Sequence, residues 1–273
     1  MRDLQEESPV PLITFNGVTV QFRGRHGMVV TALEQVDLAI NEKEFVSIVG
    51  PSGCGKSTLL RLIACLIRPT AGDVHIKGRP LREPSSRIGI MFQQPVLLPW
   101  RSVLDNVLFP VELIHQPRAA FETTARELIQ TVGLGGFDRA MPRELSGGMQ
   151  QRVAICRALV YDPPVLLMDE PFAALDALTR DELGIELMRV TAQRDKTVVF
   201  VTHSITESIL LSDRVVVMSA RPGRIIDEIP IRLARPRSLD LVSTPEFGCY
   251  ASQIRSRIAA AHGRLTTAGP ELT

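Results

Sequence analysis

Four short apolar runs punctuate the chain: Glu44 to Val49, Pro164 to Met168, Thr197 to Val201 and Arg214 to Ser219. Each is rich in Val, Ile or Leu and bounded by Gly, Asp or Pro. Strands covered on both faces lose their polar alternation, so these runs predict buried parallel strands. Between them apolar residues return at helical spacing. Phe121, Ala125, Leu128 and Val132 do so before Gly133 as a stop, and Met149, Val153, Cys156 and Val160 repeat the pattern. The span from about Leu12 to Ile40 alternates, which predicts antiparallel strands with a loop at Arg23 to Gly27. From roughly Pro95 to Tyr161 only helical patterns appear, so an all-helical insertion is expected there. After Pro236, Phe247, Ala251, Ile254 and Ile258 share one face of an amphipathic helix. About ten residues at the end are expected to be disordered. Strands alternating with helices predict an α/β fold with a mainly parallel sheet.

Composition narrows the function classes more by exclusion than by pointing anywhere. Of 273 residues, 45% are hydrophobic and 22% charged, with a formal net charge of +1. That balance gives no electrostatic reason to expect a nucleic-acid or acidic-surface partner. No stretch approaches the roughly 18 to 20 apolar residues a membrane-spanning helix needs. The start, MRDLQEESPVPL, is polar and acidic where a secretory signal would be basic and then apolar. The chain is therefore expected to stay in the cytosol and to reach any membrane through a partner. Cys54, Cys65, Cys156 and Cys249 form no CxxC pair, so neither a zinc site nor a disulfide framework is indicated.

One loop changes the picture. Gly50, Pro51, Ser52, Gly53, Cys54, Gly55, Lys56, Ser57 and Thr58 follow the pattern G-x-x-x-x-G-K-[ST] after a buried strand and before a helical pattern. Glycines let successive backbone N–H groups point inward at phosphate oxygens. Lys56 would reach the β and γ phosphates, the Ser57 hydroxyl would ligate Mg²⁺, and a helix from Ser57 to about Ile67 would present its positive end to the anion. The second carboxyl-end site is the apolar strand Val165 to Met168, which ends in Asp169 and Glu170. Ligands bind in the crevice beside such strand ends. Asp169 would hold Mg²⁺ through a water and Glu170 would polarise the attacking water. His203 follows the next apolar run, one βαβ step later, and is expected at the γ-phosphate.

Leu145-Ser146-Gly147-Gly148-Met149-Gln150-Gln151-Arg152 opens a helix with Ser and two glycines, a second N-terminal anion site in one chain. Two copies placed head to tail about a two-fold axis would let each lend Ser146, Gly147 and Gly148 to the other's nucleotide.

With these motifs in this order, the chain resembles the ATP-binding subunits of ABC transporters from about Leu12 to Ile231. The resemblance implies a P-loop core with an N-terminal antiparallel β subdomain and an inserted helical subdomain. It divides the chain into an ATP-binding domain at 12–235, helical at about 95–161, and a partly helical C-terminal extension at 236–273. It further implies that Phe22 stacks on adenine and that Gln93 touches Mg²⁺ and couples to the membrane partner. Gln150 belongs to the signature, Asp176 to a loop crossing the dimer interface, and His203 is the switch histidine. Met149, Ala173 and Ser204 depart from the commonest family residues without touching a phosphate or metal position. The implied cofactors are ATP and Mg²⁺. The implied partners are a second copy of the chain, a transmembrane permease and, indirectly, a solute-binding protein, on the cytoplasmic side of the membrane. Gln93 to Trp100, Val103 to Val107 and Ser219 to Arg224 resemble the branch importing nitrate, aliphatic sulfonates and taurine. The alternatives are a soluble ABC ATPase of translation or DNA repair, and a P-loop kinase, which leaves Leu145 to Gly148 unexplained.

Overall fold

The computed structural model describes residues 10–263 except 25, 26, 174 and 194. Strands β1 (Ile13–Arg23) and β2 (Val29–Ile40) open the chain, and β3 (Phe45–Val49) leads into α1 (Lys56–Ile63). Then come β4 (Ala71–Ile76), β5 (Arg79–Pro80) and β6 (Ile88–Met91), followed by α2 (Val103–Leu113), α3 (Glu122–Thr131) and α4 (Gly147–Leu159). The remainder is β7 (Val165–Asp169), α5 (Ala177–Gln193), β8 (Thr197–Val201), α6 (Ile205–Leu211), β9 (Arg214–Met218), β10 (Ile225–Pro230) and α7 (Pro245–Gly263).

Two sheets result, ordered β2-β1-β4-β5 and β10-β9-β3-β8-β7-β6. The first is antiparallel throughout. In the second, β9, β3, β8, β7 and β6 run parallel and only β10 is antiparallel. The four apolar runs are thus four neighbouring strands, and every residue of β3 and β8 is buried. Ser47, the one polar residue in β3, is fully buried and hydrogen-bonds the Ser212 hydroxyl.

Apolar packing fixes both sheet faces. On one, Phe200 stacks at a tilt between Phe45 and Phe172, with ring centroids 5.8 and 5.7 Å apart, and the cluster continues into α2, α3 and α4. On the other, Leu59, Leu62 and Ile63 of α1 pack between the two sheets. A third cluster joins α6 and α7 to β9 and β10, with Phe247, Ala251 and Ile254 buried and Ile258 against them. The helix expected after Pro236 therefore exists and uses the expected face.

Behind it lies Arg237, only 4% exposed. Its guanidinium donates to the carbonyls of Ile209, Leu210, Ser212, Ile231 and Leu233. Two of these are last-turn carbonyls of α6, which lack helical partners and favour a cation. Burial pushes the Arg237 guanidinium down to about 10.

One expectation needs correction. Helix α1 ends at Ile63 rather than near Ile67, because Cys65 takes a left-handed backbone (φ 54°) and the chain turns toward β4. The tip of the β1–β2 loop and the end of the chain (264–273) lie outside the described residues.

Candidate functional site

The loop Gly50 to Gly55 joins the end of β3 to α1. Gly55 stands at the N-cap with φ 106° and no side-chain hydrogen bond to the first-turn amides. A Cβ there would lie 2.6 Å from Leu33 Cδ2 and 2.9 Å from the Ala32 carbonyl, so only glycine fits. The first-turn N–H groups of α1 thus have no side-chain acceptor and are suited to an anion. Lys56 is 4% exposed, and its Nζ donates to the Gly50 and Pro51 carbonyls at 2.9 Å each. Cys54 is buried beneath it, and burial pushes its thiol pKa up.

Parallel register brings the remaining groups to the same sheet edge. Ser57 Oγ donates to Asp169 Oδ1 at 3.0 Å. Asp169 pairs with Val201 across β7 and β8, and Glu170 N donates to the Val201 carbonyl at 2.9 Å. Glu170 itself has φ 47°, a conformation costing a non-glycine residue about 1–3 kcal/mol. That turn aims its carboxylate at two neighbours: His203 Nε2 lies 2.6 Å from Oε1, and Gln93 Nε2 donates to Oε2 at 3.1 Å. Gln93, Glu170 and His203 therefore converge from the ends of β6, β7 and β8. A cleft of about 410 Å³ runs from them over Lys56 and Ser57 to Phe22. Phe22 is 43% exposed at the cleft rather than buried in a core, which leaves a ring face for a planar ligand.

The other predicted residues lie elsewhere. Ser146, Gly147, Gly148 and Gln150 are not in the lining of this cleft. Ser146 caps α4, its Oγ accepting from Met149 N at 3.3 Å, and Gln150 Nε2 donates to the Pro142 and Leu145 carbonyls at 3.0 and 3.3 Å. Asp176 accepts from Thr179 N at 3.0 Å ahead of α5, and this bond holds its carboxyl below the usual range. Ala174 lies outside the described residues.

Sequence reasoning missed two groups. Thr202, beside His203, donates to Glu207 Oε2 at 2.6 Å, and Arg180 Nε stands 3.6 Å from Glu207 Oε1. Burial pushes the Glu207 carboxyl up. The pattern Ser204-x-x-Glu207 is a capping-box signal that could have found this network; Ser204 Oγ does accept from Glu207 N at 3.2 Å. The second is Arg221, which lines the cleft itself.

Next to Gln93 the surface is apolar and held in place. Phe92, Val96 and Trp100 are 44%, 60% and 71% exposed. Arg157 donates to the Pro95 and Val96 carbonyls, and the fully buried Asn106 donates to those of Leu98, Arg101 and Ser102. Among the described residues, no helix is long and apolar enough to cross a membrane.

The chain is similar to known proteins. Residues 33–173 match the family model described as ABC transporter. An uncharacterised ABC transporter ATP-binding protein of Methanocaldococcus jannaschii is 50% identical over 89% of this chain and 88% of its own length. An aliphatic sulfonates import ATP-binding protein of Bacillus cereus is 42% identical over 86% of this chain and 92% of its own. An ATP-binding cassette solved as a dimer in a post-hydrolysis state with ADP and Pi superposes with a TM-score of 0.71. It is 34% identical and covers 81% of this chain and 100% of that one. Fold, cleft and relatives agree that the chain belongs to the ABC transporter family, has the ABC ATPase fold and is an ATPase.

Proposed function

We propose that this chain energises an importer for a small anion, such as nitrate, an aliphatic sulfonate or taurine. It acts as a homodimer on the cytoplasmic face of the membrane, against a separate permease fed by a solute-binding protein. Residues 12–235 form the ATP-binding domain, 95–161 its helical part, and 236–273 a C-terminal extension. The observation that carries the transport reading is Gln93: its amide holds Glu170, while its flank continues into the exposed Val96 and Trp100. A permease docked on that flank would move the group that positions the base.

ATP lies along the cleft with adenine on Phe22 and phosphates on the loop Gly50 to Thr58. Lys56 turns from the Gly50 and Pro51 carbonyls to the β and γ phosphates. The Ser57 hydroxyl and Asp169 carboxylate are hard oxygen donors of the kind Mg²⁺ takes beside phosphates, with Gln93 at the γ end. Mg²⁺ held by Ser57 and Asp169 would supply positive charge to offset the negative charge of the phosphates. Glu170 orients the attacking water and accepts its proton, while His203 and Gln93 fix the two carboxylate oxygens. Ser146, Gly147, Gly148 and Gln150 serve the nucleotide of the partner subunit, and Asp176 faces the interface. The dimeric cassette among the solved relatives supports that pairing.

A strain lacking this chain should lose growth on nitrate or on sulfonates as sole nitrogen or sulfur source, and regain it on complementation. Normal growth on every such anion, with the chain co-purifying with ribosomes or DNA instead of a membrane protein, would favour the soluble alternative.

A further inference from the structure

The segment Ser219 to Arg224 marks a likeness to one importer branch but has no part in the chemistry proposed above, yet it is built against the phosphate loop. Gly223 N donates to the Ala32 carbonyl at 2.9 Å, and Glu34 N donates to the Gly223 carbonyl at 3.0 Å. A Cβ on Gly223 would stand 1.9 Å from the Cys54 carbonyl, so the segment touches the loop backbone as closely as a chain can. Ser219 Oγ accepts from Arg224 N at 2.9 Å, and Arg224 Nη2 pairs with Glu34 at 2.8 Å. Arg221 projects from this braced turn. Its Nε and Nη2 both reach the Gly53 carbonyl, at 3.3 and 3.1 Å, and it lines the nucleotide cleft. Among the described residues no carboxylate pairs with it. A guanidinium has five N–H donors, so a shared carbonyl leaves most of them free.

Strand order says which part of the nucleotide Arg221 meets. The loop leaves β3; His203, Glu170 and Gln93 follow β8, β7 and β6 on one side, and Arg221 follows β9 on the other. The hydrolytic end of the phosphate chain lies over the first side. Arg221 sits on the opposite flank, beside Ala32 of β2, the strand that pairs with Phe22. We infer that Arg221 is a nucleotide-binding residue whose guanidinium engages the α- and β-phosphate end of ATP and of ADP. This rests on the nucleotide occupying this cleft.

Charge, not tethering of the turn, is what Arg221 supplies, and two substitutions separate these roles. Arg221→Gln keeps a donor for the Gly53 carbonyl and loses the charge; Arg221→Lys keeps both. Isothermal titration with ADP and steady-state ATP hydrolysis are measured on each full-length variant. The glutamine variant should weaken ADP binding and raise KM for ATP by the same factor, roughly tenfold, with the loss in KM rather than kcat. The lysine variant should stay within about threefold of the unsubstituted protein. Unchanged ADP affinity in the glutamine variant, or equal weakening in both variants, overturns the assignment. If the glutamine variant does not fold, Arg221→Met takes its place; it loses donor and charge together, so unchanged ADP affinity in it overturns the assignment. Lys56→Ala is the control. If it weakens ADP binding while Arg221→Gln does not, only the Arg221 role falls; if it leaves ADP binding intact, the cleft itself is wrongly placed.

Discussion

Two helices begin with glycine-rich turns, and they end their first turns in opposite ways. α1 starts at Gly55 with no side-chain cap, inside a cleft that also holds Lys56, Ser57 and Glu170. α4 starts at Ser146, whose hydroxyl already accepts from Met149 N, and it lies outside that cleft. An uncapped N-terminus ringed by a cation and oxygen donors is a receptor in its own right. A self-capped one stands folded without a ligand, and has only its remaining amides and an exposed Gly147 to offer another molecule. In the proposed dimer, the difference would separate binding, which one subunit performs, from turnover, which takes two.

The largest expected effects test that separation. Lys56→Ala should abolish measurable ATP binding by the isolated subunit, whereas Glu170→Gln should bind ATP and hydrolyse it about 10²–10⁴-fold more slowly, accumulating as an ATP-bound dimer on size-exclusion chromatography. Full turnover by Glu170→Gln would sink the assignment of the base. Gly147→Glu comes next: a Cβ there meets nothing within 4 Å, so the fold tolerates the change. It should cut ATPase activity about 100-fold by placing an anion against the partner's nucleotide, yet leave ADP affinity of the isolated subunit within about twofold. Equal loss of ADP affinity would mean α4 serves its own subunit. Ser146→Ala removes the cap and should cost about 1 kcal/mol of stability in denaturant unfolding, a loss with no counterpart at α1. The smallest effect is at Cys54. Its thiol pKa lies above the ordinary value, so the reactive thiolate is scarce near neutrality and grows as pH rises through that raised pKa. Iodoacetamide labelling of the buried Cys54 should be slower than that of the exposed Cys249, and should keep increasing as pH rises past the ordinary thiol pKa.

What could be read in advance follows from how local the cause is. β3, β7, β8 and β9 are continuous apolar runs because neighbours cover both faces, so sequence shows them directly. β4 and β5 are short and largely exposed, and β6 has only four residues; each exists through its pairing partners, which no local pattern reveals. The same divide runs through the site. Lys56, Ser57 and Asp169 sit in motifs whose spacing encodes their geometry, and the structure does bring Ser57 and Asp169 into contact. Arg221 reaches the loop from 168 residues away through the packing of Gly223 on Cys54, and nothing around it in sequence says so. Ser146, Gly147 and Gly148 are legible as a helix start, but the target proposed for them is on another molecule.

Arg237 gives the C-terminal region a mechanical character of its own. One side chain bridges the end of α6, the turn into β9 at Ser212 and the segment leaving β10. Cutting the chain before it would strip five carbonyls of their donor and expose the seam between α6 and the sheet at once. The stretch 237–263 is thus a clasp rather than a trailing appendage. It should melt together with the ATP-binding core in a single calorimetric transition and resist proteolysis for as long as that core stays folded.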